Sequence, residues 1–97
     1  MIKVKVKPFF QIKKALGREE LEIELEEGGT IVSLLRKLAE VSGDGIELID
    51  PETGGIRSFY RVLLDGRDYR CLEERQHTRL SEGNVISLFP PIAGGRD

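Results

Sequence analysis

Residues 30–41 read TIVSLLRKLAEV. Ile31, Leu34, Leu35 and Leu38 stand at i, i+3, i+4 and i+7, so on a helix they share one face, with Arg36, Lys37 and Glu40 turned outward. Thr30 is the expected N-cap, Gly28-Gly29 turns the chain into the helix, and Ser42-Gly43-Asp44-Gly45 ends it. An apolar stripe of this width has to be buried against another element. What lies on either side of it decides the fold.

On the N-terminal side, Ile2, Val4 and Val6 alternate with Lys3, Lys5 and Lys7, the period of a strand with one buried and one wet face. Pro8 ends that ladder by removing a donor. After Phe9 and Phe10, QIKKAL is a short helical turn stopped by Gly17. Leu21, Ile23 and Leu25 then alternate with Glu20, Glu22, Glu24 and Glu26 as a second strand, whose glutamate face suits the lysine face of the first.

On the C-terminal side, IELI (46–49) and YRVLL (60–64) read as strands separated by the turn-forming DPETGG (50–55). Asp65-Gly66 signals a tight hairpin. RCLEERQHTRL (70–80) has mixed periodicity and reads as a loop with a short helical turn. VISLFPP (85–91) is the last strand, with Ile86 and Leu88 toward the helix and Phe89 on the uncovered face beside the tail. The reading is α+β, a mixed sheet of about four to five strands with one main helix on one face. Residues 1–91 form the domain and 92–97 a flexible tail.

Composition narrows the function classes. A chain of 97 residues has room for one modest core. Net charge is -2, too balanced to make nucleic acid or an anionic membrane the expected partner. No apolar run reaches the roughly 20 residues of a bilayer span, and the lysine-studded start is unlike a signal peptide. The single cysteine, Cys71, excludes an internal disulfide framework and suits a reducing cytoplasm. The clustered charges, glutamates at 19–27 and arginines at 57–79, read first as solvated faces.

Catalytic motifs are wanting. There is no GxxxxGK[ST] loop, and Gly43-Asp44-Gly45 lacks a third glycine and follows a helix. One histidine, His77, and one cysteine do not make a conventional zinc site. Cys71 and His77 are six residues apart, but nothing orients them as nucleophile and base. No carboxylate pair stands out.

The ending remains. Past Pro91, the residues Ile92, Ala93, Gly94 and Gly95 reach about 13 Å at about 3.3 Å each. Pro90 and Pro91 stiffen the start of that arm, and its last two positions carry no side chains. Such an arm can thread a narrow channel in another protein; the glycines taken alone favour a frayed end.

The chain resembles the ubiquitin-like sulfur-carrier family, namely the small subunit of molybdopterin synthase and its thiamine-pathway relative. The resemblance runs nearly end to end. IKVKVKPFFQIKKALG is similar to the family's opening strand and helical turn, EEGGTIVSLLRKLAE to its glycine turn and main helix, and VLLDGRDYR to its late hairpin. LSEGNVISLFPPIAGG is similar to its closing signature and is the most specific part. The extra length around ELIDPETGGIRSFY resembles a longer, archaeal-type branch.

The resemblance implies a β-grasp fold and a carrier with no catalytic side chain, no metal and no bound cofactor. A ubiquitin-activating-type adenylating enzyme would use ATP to activate the terminal glycine, and a sulfur donor protein would convert the acyl-adenylate to a thiocarboxylate. The carrier would then enter a molybdopterin synthase large subunit for molybdenum or tungsten cofactor synthesis. Gly95 would carry the sulfur, Gly94 would give clearance, and Phe89, Pro90, Pro91, Ile92 and Ala93 would form the docking surface.

The sequence departs from the family pattern once. Arg96-Asp97 follow Gly95, so its carbonyl is in a peptide bond, and a protease that removes them is implied. Two other readings stay open, a ubiquitin-like modifier joined to lysines through Gly95 and a β-grasp binding domain that is never activated.

Overall fold

In the computed structural model, residues 1–42 and 47–91 are described. The elements are β1 (Ile2–Pro8), α1 (Phe10–Leu16), β2 (Leu21–Leu25), α2 (Ile31–Ser42), β3 (Arg61–Leu64), β4 (Arg67–Asp68) and β5 (Val85–Phe89). Two 3-10 turns, Tyr69–Cys71 and Arg75–His77, lie between β4 and β5. The five strands make one sheet in the order β2-β1-β5-β3-β4. β1 and β5 are parallel at its centre, and the other pairs are antiparallel. A mixed sheet with a central parallel pair and a helix across one face is the β-grasp arrangement expected from the sequence.

The helix forms where its stripe requires. Ile31, Leu34, Leu35 and Leu38 are all fully buried, each contributing about 1.5–3 kcal/mol of burial. They pack in one cluster with Val4, Val6, Val62, Ile86 and Leu88. Thr30 caps the helix as predicted, and does so reciprocally. The Ser33 N–H donates to Thr30 Oγ1 (3.3 Å) and the Thr30 N–H donates to Ser33 Oγ (2.8 Å), a capping box with serine at its second position. Lys37 donates from Nζ to the Glu24 carbonyl (2.6 Å), tying the outward face of α2 to β2.

Register sets the two faces of the sheet. Lys3 lies opposite Glu24 and Lys5 opposite Glu22, so the lysine and glutamate rows meet on the open side, where Lys5 Nζ is 3.7 Å from Glu20 Oε1. Gly17 closes α1 with a φ of 73°, donating its N–H to the Lys13 carbonyl. Asp65 and Gly66 have φ of 48° and 89°, the two positive values that a two-residue primed hairpin needs.

One expected strand is absent. Over its described residues, IELI makes only a single isolated bridge, Ile49 with Ile56, and does not join the sheet. The reason is local. The Asp50 N–H donates to the Gly55 carbonyl and the Arg57 N–H to the Leu48 carbonyl, so residues 47–60 close on themselves as a small clasp. Leu48 and Ile56 are buried in the main core, and three outside side chains hold the clasp down. Arg36 donates to the Gly54 carbonyl, Gln76 accepts from the Ile56 N–H, and Arg70 donates to the Ser58 carbonyl. The segment RCLEERQHTRL holds two short turns where one was expected.

Candidate functional site

β5 carries the chain to the site. Its Ile86 and Leu88 are fully buried under α2, so Val85, Ser87 and Phe89 fall on the opposite, open face, as the alternation predicts. Phe89 stacks on Phe9, with ring centroids 4.4 Å apart and planes 6° from parallel. The Phe9 N–H donates to the Leu88 carbonyl (3.0 Å), which brings the residue after β1 beside the end of β5. Pro90 and Pro91 follow, and having no N–H they cannot extend the ladder. The chain therefore leaves the sheet here.

Around that exit is an open hollow of about 640 Å³. Phe89, Pro90 and Pro91 line it together with Phe10, Phe59 and Tyr60. Phe10 and Phe59 are 70% and 53% exposed, unusual for residues whose neighbours Phe9 and Tyr60 are half-buried. Phe10 has a φ of 55°, a value a bulky residue rarely adopts. Phe59 and Tyr60 meet at 5.1 Å with their rings tilted by 47°.

Charge surrounds this apolar patch. Arg61 Nε is 3.7 Å from Asp68 Oδ2, across the β3–β4 ladder. Asp68 Oδ1 accepts from the Arg70 N–H (2.8 Å), and the Arg70 guanidinium donates to the Ser58 and Tyr60 carbonyls. Burial pushes the Tyr60 phenol above its ordinary value; Arg57 opposes this and Glu47 adds to it.

Of the residues picked out in the sequence, Phe89, Pro90 and Pro91 are brought together in the hollow. Ile92, Ala93, Gly94 and Gly95, with Arg96 and Asp97, lie outside the described residues. Sequence reasoning missed Phe10, Phe59, Tyr60 and Arg70. The signal for the aromatics was present in the pairs Phe9-Phe10 and Phe59-Tyr60, since two bulky side chains adjacent in sequence point in different directions and rarely enter one core together. Nothing in the sequence pointed to Arg70. Cys71 is exposed, and no hydrogen bond joins it to His77, whose ring nitrogen lies 3.5 Å from the Gln76 side-chain amide. Among the described residues, no cluster of three His, Cys, Asp or Glu is placed to hold a metal ion. No helix among them is long and apolar enough to cross a membrane.

Comparison with known proteins bears on the strand and its ending together. Residues 6–95 match the model of the ThiS family. The chain belongs to the ThiS family. That match runs from Val6, late in β1, to Gly95, leaving out residues 1–5 at one end and Arg96 and Asp97 at the other. Small archaeal modifier protein 3 of Haloferax volcanii is 32% identical over 88 residues, covering 90% of this chain and 92% of the relative. A protein of Archaeoglobus fulgidus, provisionally named a sulfur carrier protein, is 27% identical over 85 residues, covering 88% and 94%. A solved structure from Pyrococcus furiosus, provisionally named molybdopterin converting factor subunit 1, superposes with a TM-score of 0.74 at 26% identity, covering 95% and 100%. This ThiS-family chain is thus a ubiquitin-like protein of the sulfur-carrier and modifier kind.

Proposed function

We propose that the chain is a sulfur carrier for molybdopterin-type cofactor synthesis, loaded at Gly95 after Arg96 and Asp97 are removed. The observation that carries this reading is the ending. The family match stops at Gly95, and β5 delivers Pro90-Pro91 to the rim of an apolar hollow. The Pyrococcus likeness favours the pterin branch.

A carboxylate is a poor electrophile, so the chemistry is supplied from outside. The freed Gly95 carboxylate oxygen attacks the α-phosphorus of ATP in an adenylating enzyme, and pyrophosphate leaves. A sulfide equivalent from a donor protein attacks the acyl carbon and displaces AMP, leaving a thiocarboxylate. Its sulfur then adds to a pterin precursor in the synthase large subunit, and water returns the carboxylate. The carrier provides position and a reactive end. Intact-mass measurement on protein from its own cells tests this. The expected species ends at Gly95, and a fraction of it has gained the mass of sulfur in place of oxygen. Full-length chain alone during active cofactor synthesis overturns the reading.

A second reading has its own support in the Haloferax relative, which is named a modifier. The same activated glycine would then be joined to lysines of other proteins. A branched peptide carrying residues 80–95 on target lysines after tryptic digestion identifies that outcome, since Arg79 is the last tryptic site before Gly95.

A further inference from the structure

β2 is an edge strand. In the order β2-β1-β5-β3-β4 it has β1 on one side and, among the described residues, no strand on the other. Register shows which backbone groups that free edge offers. The Lys3 N–H donates to Glu82 Oε1, the Lys3 carbonyl accepts from the Gly83 N–H, and the Lys5 N–H donates to the Asn84 carbonyl. Lys3 and Lys5 therefore spend these groups on the β5 side. Glu24 and Glu22 stand opposite them in non-hydrogen-bonded pairs, and turn their own N–H and C=O groups outward. Lys37 bears out that direction, since its Nζ reaches round from α2 to the Glu24 carbonyl (2.6 Å). What stays open is the Glu22 N–H, the Glu22 carbonyl and the Glu24 N–H.

We propose that this edge docks an extended segment of a partner protein in which Lys or Arg alternates with small apolar residues. The open groups recur with the period of a strand and fit another strand's backbone. The side chains beside them divide by face. Glu22 and Glu24 are exposed on the open face, while Leu21 and Ile23 are half-buried against the core on the helix side. Among the described residues, ion pairs engage Glu19 and Glu20, and none engages Glu22, Glu24, Glu26 or Glu27. A cationic row laid beside them gains cross-strand pairs of opposite charge. β1 is a strand of this kind. Its IKVKVK pairs with β2 from the inner side, with lysines opposite glutamates and Val4 and Val6 buried under α2.

Charge also decides against the simplest rival. A second copy joined antiparallel through the same edge sets glutamates against glutamates, which is destabilising. Lys37 limits the new ladder to the three groups around Glu22, because the next acceptor along the edge is already taken. β1 separates β2 from β5, so an occupant here leaves the end of β5 uncovered. Such docking needs neither trimming nor activation at Gly95, so it goes beyond the carrier reading and is tested apart from it.

The test is titration of the isotope-labelled full-length chain with a synthetic IKVKVK peptide at low salt, followed by amide chemical shifts. Shifts are expected at residues 21–25 and at Lys37, and should weaken as salt is raised. Lys37→Ala frees the Glu24 carbonyl and removes a repelling ammonium, and should lower Kd about threefold, the scale of one net hydrogen bond. Glu22→Gln combined with Glu24→Gln should raise Kd about fivefold with a dispersed spectrum retained. That variant should also lose the wild-type preference for IKVKVK over IQVQVQ, a change that misfolding alone does not produce. IKVKVK methylated at its backbone nitrogens keeps the charge but not the ladder, and should fail to bind. Binding that survives methylation would be a charge contact only. An absence of shifts at residues 21–25 would mean an edge built to repel every strand, and a chain dimerised through β2 would make the occupant a second copy. Each of these three outcomes overturns the proposal.

Discussion

Phe9 and Phe89 stack face to face across the exit of β5, their centroids 4.4 Å apart. One follows the first strand of the fold and the other ends the last, so the stack fastens the open face of the parallel pair where its ladder stops. Aromatic pairs contribute about 0.5–1.5 kcal/mol beyond the area they bury. A double-mutant cycle of Phe9→Leu and Phe89→Leu, read by denaturant unfolding, should return a coupling in that range. Additive effects would mean the two rings share burial and nothing more.

The stack also shows how much the sequence disclosed. Period-two patterning placed Phe89 on the open face, and the heptad-like spacing of Ile31, Leu34, Leu35 and Leu38 set the helix face, because both are consequences of backbone geometry alone. That the lysine and glutamate rows would meet was legible for the same reason, while the register that pairs Lys3 with Glu24 and Lys5 with Glu22 was not. IELI was misread, since three apolar residues around Glu47 look the same in a sheet strand as in a clasp whose Leu48 and Ile56 reach a core built elsewhere. Half the candidate site was hidden. Phe59 is placed by Arg70, eleven residues further on, through carbonyl acceptors that every residue possesses, and no residue type marks such a contact in advance.

Asp65 holds the hairpin to the last strand. Its Oδ1 accepts from the Val85 N–H (2.9 Å) and its Oδ2 from the Asn84 amide (2.8 Å), while its own backbone sits at a φ of 48°. Asp65→Ala loses both acceptors and places a Cβ residue with no local hydrogen bond in the left-handed region. A loss of about 1–3 kcal/mol is expected in chemical denaturation. Asp65→Asn keeps one carbonyl acceptor and tolerance of positive φ, and should recover part of it. Equal losses for the two variants would refute this account of the turn.

Leu35 is fully buried at the centre of the helix stripe. Leu35→Ala should cost about 2–5 kcal/mol, the transfer term plus the cavity left against β1 and β5. Thr30→Ala removes only a cap acceptor and should cost about 1 kcal/mol. Thermal melts that rank the two in the reverse order would contradict the packing described for α2.

Tyr60 makes the stability of the fold sensitive to alkali. Burial holds its phenol above the ordinary value, against Arg57 and with help from Glu47, whose carboxylate lies 3.1 Å from the Arg57 guanidinium. Below the ordinary tyrosine value of about 10, both folded and unfolded chains keep the proton, and the favourable neutral state is fully present. As pH rises past that value the unfolded chain ionises first, and stability falls until the folded-state pKa is passed. In a Tyr69→Phe background the single remaining tyrosinate absorbance should therefore appear later than in free tyrosine. Adding Glu47→Gln should bring it earlier, and Arg57→Gln should delay it further. Melting temperature above pH of about 10 should fall more steeply for wild type than for Tyr60→Phe. Ionisation at or below the free-tyrosine value would show that the Tyr60 ring is wetter than its place in the hollow requires, and would weaken the case for a formed cleft beside Phe59.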